Sequence, residues 1–212
     1  ITDNPCAATG HRQLDWQPLP ENYKGERLYE GNYYLTNDLE LKAQMDIVDG
    51  NMVCLDTNGH DITLKSDVHT RLAIVRNGAV FNLTNSQFAT KESTGSASCL
   101  RKTDKHENGN GGILIGSGGN MSLYKGVTIA AIADHKIGYG LVAVNGSLNI
   151  YGGKIIGTTL DDDGRSSDGY GGAVYVGPNG YFFINDGTIQ AGDNNKKGGA
   201  IYTAGGETHI QG

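Results

Sequence analysis

Gly171-Gly172-Ala173-Val174-Tyr175-Val176-Gly177-Pro178-Asn179-Gly180-Tyr181-Phe182-Phe183-Ile184-Asn185 decides the fold of this chain. A glycine pair opens the stretch and a short alternating apolar run follows. A Gly/Pro/Asn turn then leads into a second alternating run. Period-2 alternation punctuated by glycine predicts strands, since helical periodicity is absent. The same phrase recurs on both sides. Upstream are Ile113-Leu114-Ile115-Gly116 with Met121-Ser122-Leu123-Tyr124, then Leu141-Val142-Ala143-Val144 with Leu148-Asn149-Ile150-Tyr151. Downstream are Ala200-Ile201-Tyr202-Thr203 with Thr208-His209-Ile210-Gln211. In the first three units a further glycine leads to a third short run ending near Ile129, Ile156 or Ile189.

Three short strands per ~30 residues cannot bury their own apolar face, but stacked units can. Aligned on the glycines, the units give three inward columns: Leu114, Val142, Val174 and Ile201; Leu123, Ile150, Ile184 and Ile210; and Ile129, Ile156 and Ile189. Each column repeats at the ~4.8 Å strand-pairing distance, and glycine turns the corners between faces. The expected fold is all-β, a right-handed parallel β-helix with an N-terminal cap. A β-sandwich needs hairpin turns every ~8–12 residues and gives no such columns.

Shorter coils are expected upstream, around Val53-Cys54-Leu55-Asp56, Asp61-Ile62-Thr63-Leu64, Leu72-Ala73-Ile74-Val75 and Val80-Phe81-Asn82-Leu83. The expected division is an N-terminal cap with the first strands over 1–50 and coils over 51–212. A long polar insertion occupies about 88–110, and the whole is one domain. The run His209-Ile210-Gln211-Gly212 breaks off inside a unit, so this end is expected to stack on further coils or another chain.

Composition agrees. Glycine is 33 of 212 residues, against a usual ~7%, but proline is only 4, which excludes collagen and Pro-rich disorder. A net charge of -6 with 17 basic residues argues against nucleic acid as a partner. No apolar run reaches the ~18 residues of a spanning helix, so no membrane insertion is expected. The first residues lack a signal-peptide pattern. Cys6, Cys54 and Cys99 leave two states open, one disulfide with one thiol or three thiols, and Cys6 with His11 does not make a zinc site.

Several stretches carry a resemblance. Trp16-Gln17-Pro18-Leu19, Gly31-Asn32-Tyr33-Tyr34-Leu35-Thr36-Asn37-Asp38 and Leu55-Asp56-Thr57-Asn58-Gly59-His60-Asp61-Ile62 resemble the opening of secreted, pectate-lyase-like right-handed β-helix proteins of anaerobic gut bacteria. Gly171-Gly172-Ala173-Val174-Tyr175-Val176 and Gly198-Gly199-Ala200-Ile201-Tyr202 match that family's coil signature. Thr57 stands where the family usually has leucine, and a β-branched residue suits the strand. The resemblance implies a secreted or bacterial cell-surface module, an adhesin with a glycan or a host or bacterial surface ligand as partner. It also has polysaccharide lyases and hydrolases among its fold relatives, and fold alone does not transfer chemistry.

The loops after the third strands hold Asp134-His135-Lys136, then Asp161, Asp162, Asp163, Arg165 and Asp168, then Asp193 to Lys197. Stacked coils bring such loops together. Paired carboxylates there serve glycoside hydrolysis, or Asp162, Asp163 and Asp168 hold Ca²⁺ while a cation abstracts a proton beside a uronate carboxylate. The plain alternative is a solvated polar loop. Asp161 to Asp163 are contiguous and do not match a calcium loop. Tyr175 and Tyr202 share an outward position on adjacent coils, and Tyr139 and Tyr170 precede coil-starting glycines, so these four are the candidate carbohydrate-binding residues. An outward aromatic ladder explains them equally, and Tyr124 with Tyr151 forms a similar pair. The outward series Ile115, Ala143, Tyr175 and Tyr202 is not the threonine array of an ice-binding face. The leading expectation is a non-catalytic surface module. The alternative is a polysaccharide lyase or glycoside hydrolase working through the 134–168 patch.

Overall fold

The computed structural model describes residues 15–64, 71–87, 96–99, 112–131, 140–157, 172–191 and 198–211. Over these residues the protein is all-β, with no helix, and every strand pairing is parallel. One sheet has seven strands: β2 (Glu26–Leu28), β5 (Met45–Ile47), β8 (Ala73–Val75), β11 (Ile113–Ile115), β14 (Val142–Val144), β16 (Val174–Val176) and β18 (Ile201–Thr203).

The other sheet has twelve strands in two runs. The first contains β1 (Trp16–Pro18), β3 (Gly31–Tyr34), β6 (Met52–Asp56), β9 (Val80–Thr84) and β12 (Asn120–Tyr124). It continues through β15 (Ser147–Ile156) and β17 (Tyr181–Gln190) to β19 (Glu207–Ile210). The second run contains β4 (Leu39–Leu41), β7 (Ile62–Leu64), β10 (Ser96–Cys99) and β13 (Thr128–Ala131), and it joins the far halves of β15 and β17. The sequence reading of a third short run per unit is therefore correct, although in β15 and β17 it continues the second without a break.

Each strand bonds the strand one repeat later, and the pairing extends into the corners. From β8 onward, the N–H after each strand of the seven-stranded sheet donates to the last carbonyl of the strand before it. Gly116 donates to Val75 at 2.8 Å, Asn145 to Ile115 at 2.8 Å and Ala204 to Val176 at 2.7 Å. A four-residue turn then repeats at 76–79, 116–119 and 177–180, closed by an N–H to C=O bond of 2.8–3.0 Å. The first two are type II turns, in which Gly78 and Gly118 hold the positive φ, near +70°, that this type requires of its third residue, whereas Asn179 at that place in the third turn does not. Other glycines serve space rather than φ. A Cβ on Gly146 would stand 2.2 Å from the Gly119 carbonyl oxygen, so two corners approach too closely for any side chain.

One apolar core runs from Leu19 to Ile184 between the sheets, with Phe81, Phe182, Leu41 and Met45 among its largest fully buried side chains. The column Leu123, Ile150, Ile184 and Ile210 lies in register as expected. The other two columns are each corrected by one residue. Ile113, not Leu114, aligns with Val142, Val174 and Ile201, and Ile155, not Ile156, aligns with Ile129 and Ile189. Both errors fall in apolar runs (Ile-Leu-Ile and Ile-Ile), where two adjacent residues are equally suited to face inward. The outward series is therefore Leu114, Ala143, Tyr175 and Tyr202, and Ile115 is buried.

Strands of both sheets already form between residues 26 and 47, within the stretch 1–50. Most of the 88–110 insertion lies outside the described residues, apart from β10 within it. The connections from the second run back to the seven-stranded sheet vary most, from 42–44 to 157–173, so unequal repeat lengths are absorbed there.

Candidate functional site

Side chains along a strand alternate faces, so a parallel in-register sheet stacks like positions into outward rows. Tyr175 and Tyr202 are one such pair. They are register partners on β16 and β18, both half-buried, with ring centroids 5.9 Å apart and planes 24° from parallel. The sequence reading placed them together, and the structure does so. Stacking uses the ring faces that look at each other. Tyr202 is on the last strand of its sheet, so its second face has no further strand beside it among the described residues.

A second aromatic row lies on the other sheet. Tyr124 stacks on Tyr151 at 5.4 Å and 24°, and Phe183 lies 6.5 Å further on, tilted by 56°. Burial raises the Tyr124 hydroxyl above its ordinary pKa, against a smaller lowering by the Ser122 hydrogen bond. Beside this row Tyr181 meets the His209 ring at 5.2 Å, and His209 Nε2 lies 3.4 Å from Glu207 Oε2. The sequence pointed to Tyr124 and Tyr151. It did not point to Phe183, Tyr181 or His209, although Phe183 and His209 pair directly beside Ile184 and Ile210, whose register it did give.

Tyr139, Tyr170, Asp161, Asp162, Asp163, Arg165 and Asp168 lie outside the described residues, as do Asp134 to Lys136 and Asp193 to Lys197. The same holds for the Ca²⁺ candidates, and among the described residues no three His, Cys, Asp or Glu side chains come together as a metal site.

A polar ladder at the corner between the two runs went unread, although Asp56, Asn58 and Gly59 in it belong to a stretch that carries the resemblance. Asp56 Oδ1 accepts from the N–H groups of Asn58 and Ser86, at 2.8 and 2.9 Å. Asn58 has φ +49°, and its amide donates to the Leu35 carbonyl at 2.9 Å. Asn85 Oδ1 accepts from Gly59 and Gln87, and its Nδ2 donates to the Gly126 carbonyl at 3.1 Å. These bonds satisfy corner backbone groups that no strand pairs. Their chemistry is structural. The sequon Asn82 is likewise buried, pointing at Cys54 Sγ from 3.6 Å, which removes it as a glycosylation site on the folded chain. Cys54 itself is in a disulfide.

No protein-family model, curated protein or solved structure matches this chain. Its function has to be argued from its own residues.

Proposed function

We propose that this chain is a right-handed parallel β-helix that acts as a non-catalytic extracellular module of a bacterial surface protein. It is an adhesin or stalk that binds glycan on the Tyr175–Tyr202 row. The observation that carries the reading is the single phase kept by the seven-stranded sheet from Glu26–Leu28 to Ile201–Thr203. Each repeat adds one strand to each face, so the chain lengthens into a rod while its outward rows stay in line. Such rows suit an extended ligand.

Two further observations support it. A disulfide at Cys54 fits an oxidising compartment, as on a cell surface or in secreted proteins. At the last strands the core columns come into the open: Ile210 is 70% exposed while Ile184, one repeat earlier, is 8% exposed. That exposed apolar surface suits a partner chain.

A glycan array, with reducing-sugar and unsaturated-uronate assays run with and without Ca²⁺, tests the reading. Expected are glycan binding weakened by Tyr202→Ala and no turnover. Turnover abolished by Asp162→Ala or Arg165→Ala would establish the lyase or hydrolase reading instead. Failure to bind any glycan would leave a stalk.

A further inference from the structure

A groove of about 680 Å³ opens beside the first two strands of the seven-stranded sheet, at the end opposite Tyr202. That volume falls within the ~300–1,000 Å³ range of small-ligand sites. Asn22 and Tyr23 of the turn before β2, Glu26 and Arg27 of β2, Tyr29 just after it and Asp46 of β5 line it.

The backbone here is bent in a way the fold elsewhere avoids. Glu26 has φ +76°, and Asn58 is the only other described non-glycine residue with positive φ. Asparagine tolerates that region and Asn58 gains ladder bonds from it, but glutamate has no such preference. Gly25 beside it is pressed onto Ala43, whose carbonyl oxygen a Cβ would meet at 2.0 Å. The bend is held by two bonds: Glu26 N–H donates to the Gln44 carbonyl at 2.7 Å, and Tyr23 Oη donates to the Glu26 carbonyl at 3.1 Å. It places the Glu26 side chain, exposed, on the groove. Strain kept at a groove wall is a feature of binding sites.

The lining selects the ligand. Tyr29 is 58% exposed, a large ring face left in water at the rim. Glu26 and Asp46 are balanced by Arg27 and by Arg76, which donates two hydrogen bonds to Asp46. With charges compensated, nothing favours an ionic ligand, whereas a flat ring among carboxylate, amide and guanidinium groups suits a hydroxyl-rich one.

We infer that this groove binds a neutral oligosaccharide, stacked on Tyr29 and hydrogen-bonded by Glu26, Asn22 and Arg27. The ligand class rests on the glycan-binding reading above, but the place does not, since the groove and the Tyr175–Tyr202 row lie at opposite ends of the sheet.

Isothermal titration of the full chain with maltotetraose, cellotetraose, xylotetraose, mannotetraose and tetragalacturonate tests it. In a Tyr202→Ala background, which removes the outer ring of the other row, at least one neutral tetramer is still expected to bind, and about tenfold more weakly once Tyr29→Ala is added. Both tyrosines lie at the surface or half-buried, and an unchanged far-ultraviolet spectrum confirms folding. Binding insensitive to Tyr29→Ala, binding of tetragalacturonate alone, or no neutral tetramer bound would each overturn the inference. Neutral binding lost in Tyr202→Ala but kept in Tyr29→Ala would overturn it while upholding the tyrosine-row reading.

Discussion

Tyr202 lies on Tyr175 across one parallel strand pair, with ring centroids 5.9 Å apart and planes 24° from parallel. Offset aromatic pairs of this kind are worth roughly 0.5–1.5 kcal/mol beyond their area. A double-mutant cycle of Tyr175→Ala and Tyr202→Ala, read by thermal or urea unfolding, should return a coupling of that size. A coupling near zero would mean the two rings merely share a row.

Asn85 is the most heavily used side chain of the corner ladder, bonding Gly59, Gln87 and Gly126. It is 1% exposed, and its removal leaves two N–H donors and a carbonyl of a part-buried corner without their partner. Asn85→Ala is expected to cost about 1–3 kcal/mol in urea unfolding. Asn85→Asp should also destabilise, because a carboxylate keeps the two acceptor bonds but cannot donate to Gly126.

The ladder marks where reading the sequence stopped working. Alternation with glycine punctuation located most strands, and Leu123, Ile150, Ile184 and Ile210 came out in register because Leu123, Ile150 and Ile210 each stand between polar or tyrosine residues and fix the phase for Ile184. Ile113 and Ile155 were missed because the residue after each, Leu114 or Ile156, is equally apolar, so phase depends on pairing with the next repeat. Asn85 was missed for a related reason. Two of its three partners are 26 and 41 residues away, on the repeats to either side, and the third, Gln87, is a bond that any loop asparagine can make. The groove at Glu26 depends on a backbone bend between Gly25 and β2, which a one-residue φ decides and composition does not reveal.

The disulfide at Cys54 makes a counting prediction. Three cysteines with one pair leave one thiol, so the unfolded, unreduced chain should titrate one thiol per molecule. Three thiols would contradict the structure. Reduction should lower stability by about 2–4 kcal/mol, the usual worth of closing a loop in the unfolded chain. Peptide mapping would identify whether Cys6 or Cys99 is the partner.

Tyr23 gives the fold a dependence on alkaline pH. Burial, with the negative charges of Asp46 and Glu26 adding to it, raises its hydroxyl pKa above the ordinary value of 10.0. Above pH ~10 the unfolded chain therefore releases a proton that the folded chain keeps. The unfolded state then binds fewer protons, and stability falls with rising pH at up to ~1.4 kcal/mol per unit until the folded group titrates. Below pH ~10 the group contributes no slope. Tyr23→Phe should remove this part of the alkaline loss, measured as urea midpoints across pH 8–11. An unchanged slope would show that Tyr23 ionises as freely in the folded chain as in the unfolded one.

Glu26 separates stability from binding. A non-glycine residue in the left-handed region costs roughly 1–2 kcal/mol, and glycine there does not carry that steric penalty. Glu26→Gly keeps the N–H bond to Gln44 and the carbonyl that accepts from Tyr23, because both are backbone. It adds some entropy to the unfolded chain, which offsets part of the relief. The expected result is a chain about 0.5–1 kcal/mol more stable that binds the neutral tetramer several-fold more weakly. Glu26→Gln retains the strain and loses only the charge, so its stability should match the wild type while its binding weakens. Stability gained without loss of binding would make the bend a corner of the fold and nothing more.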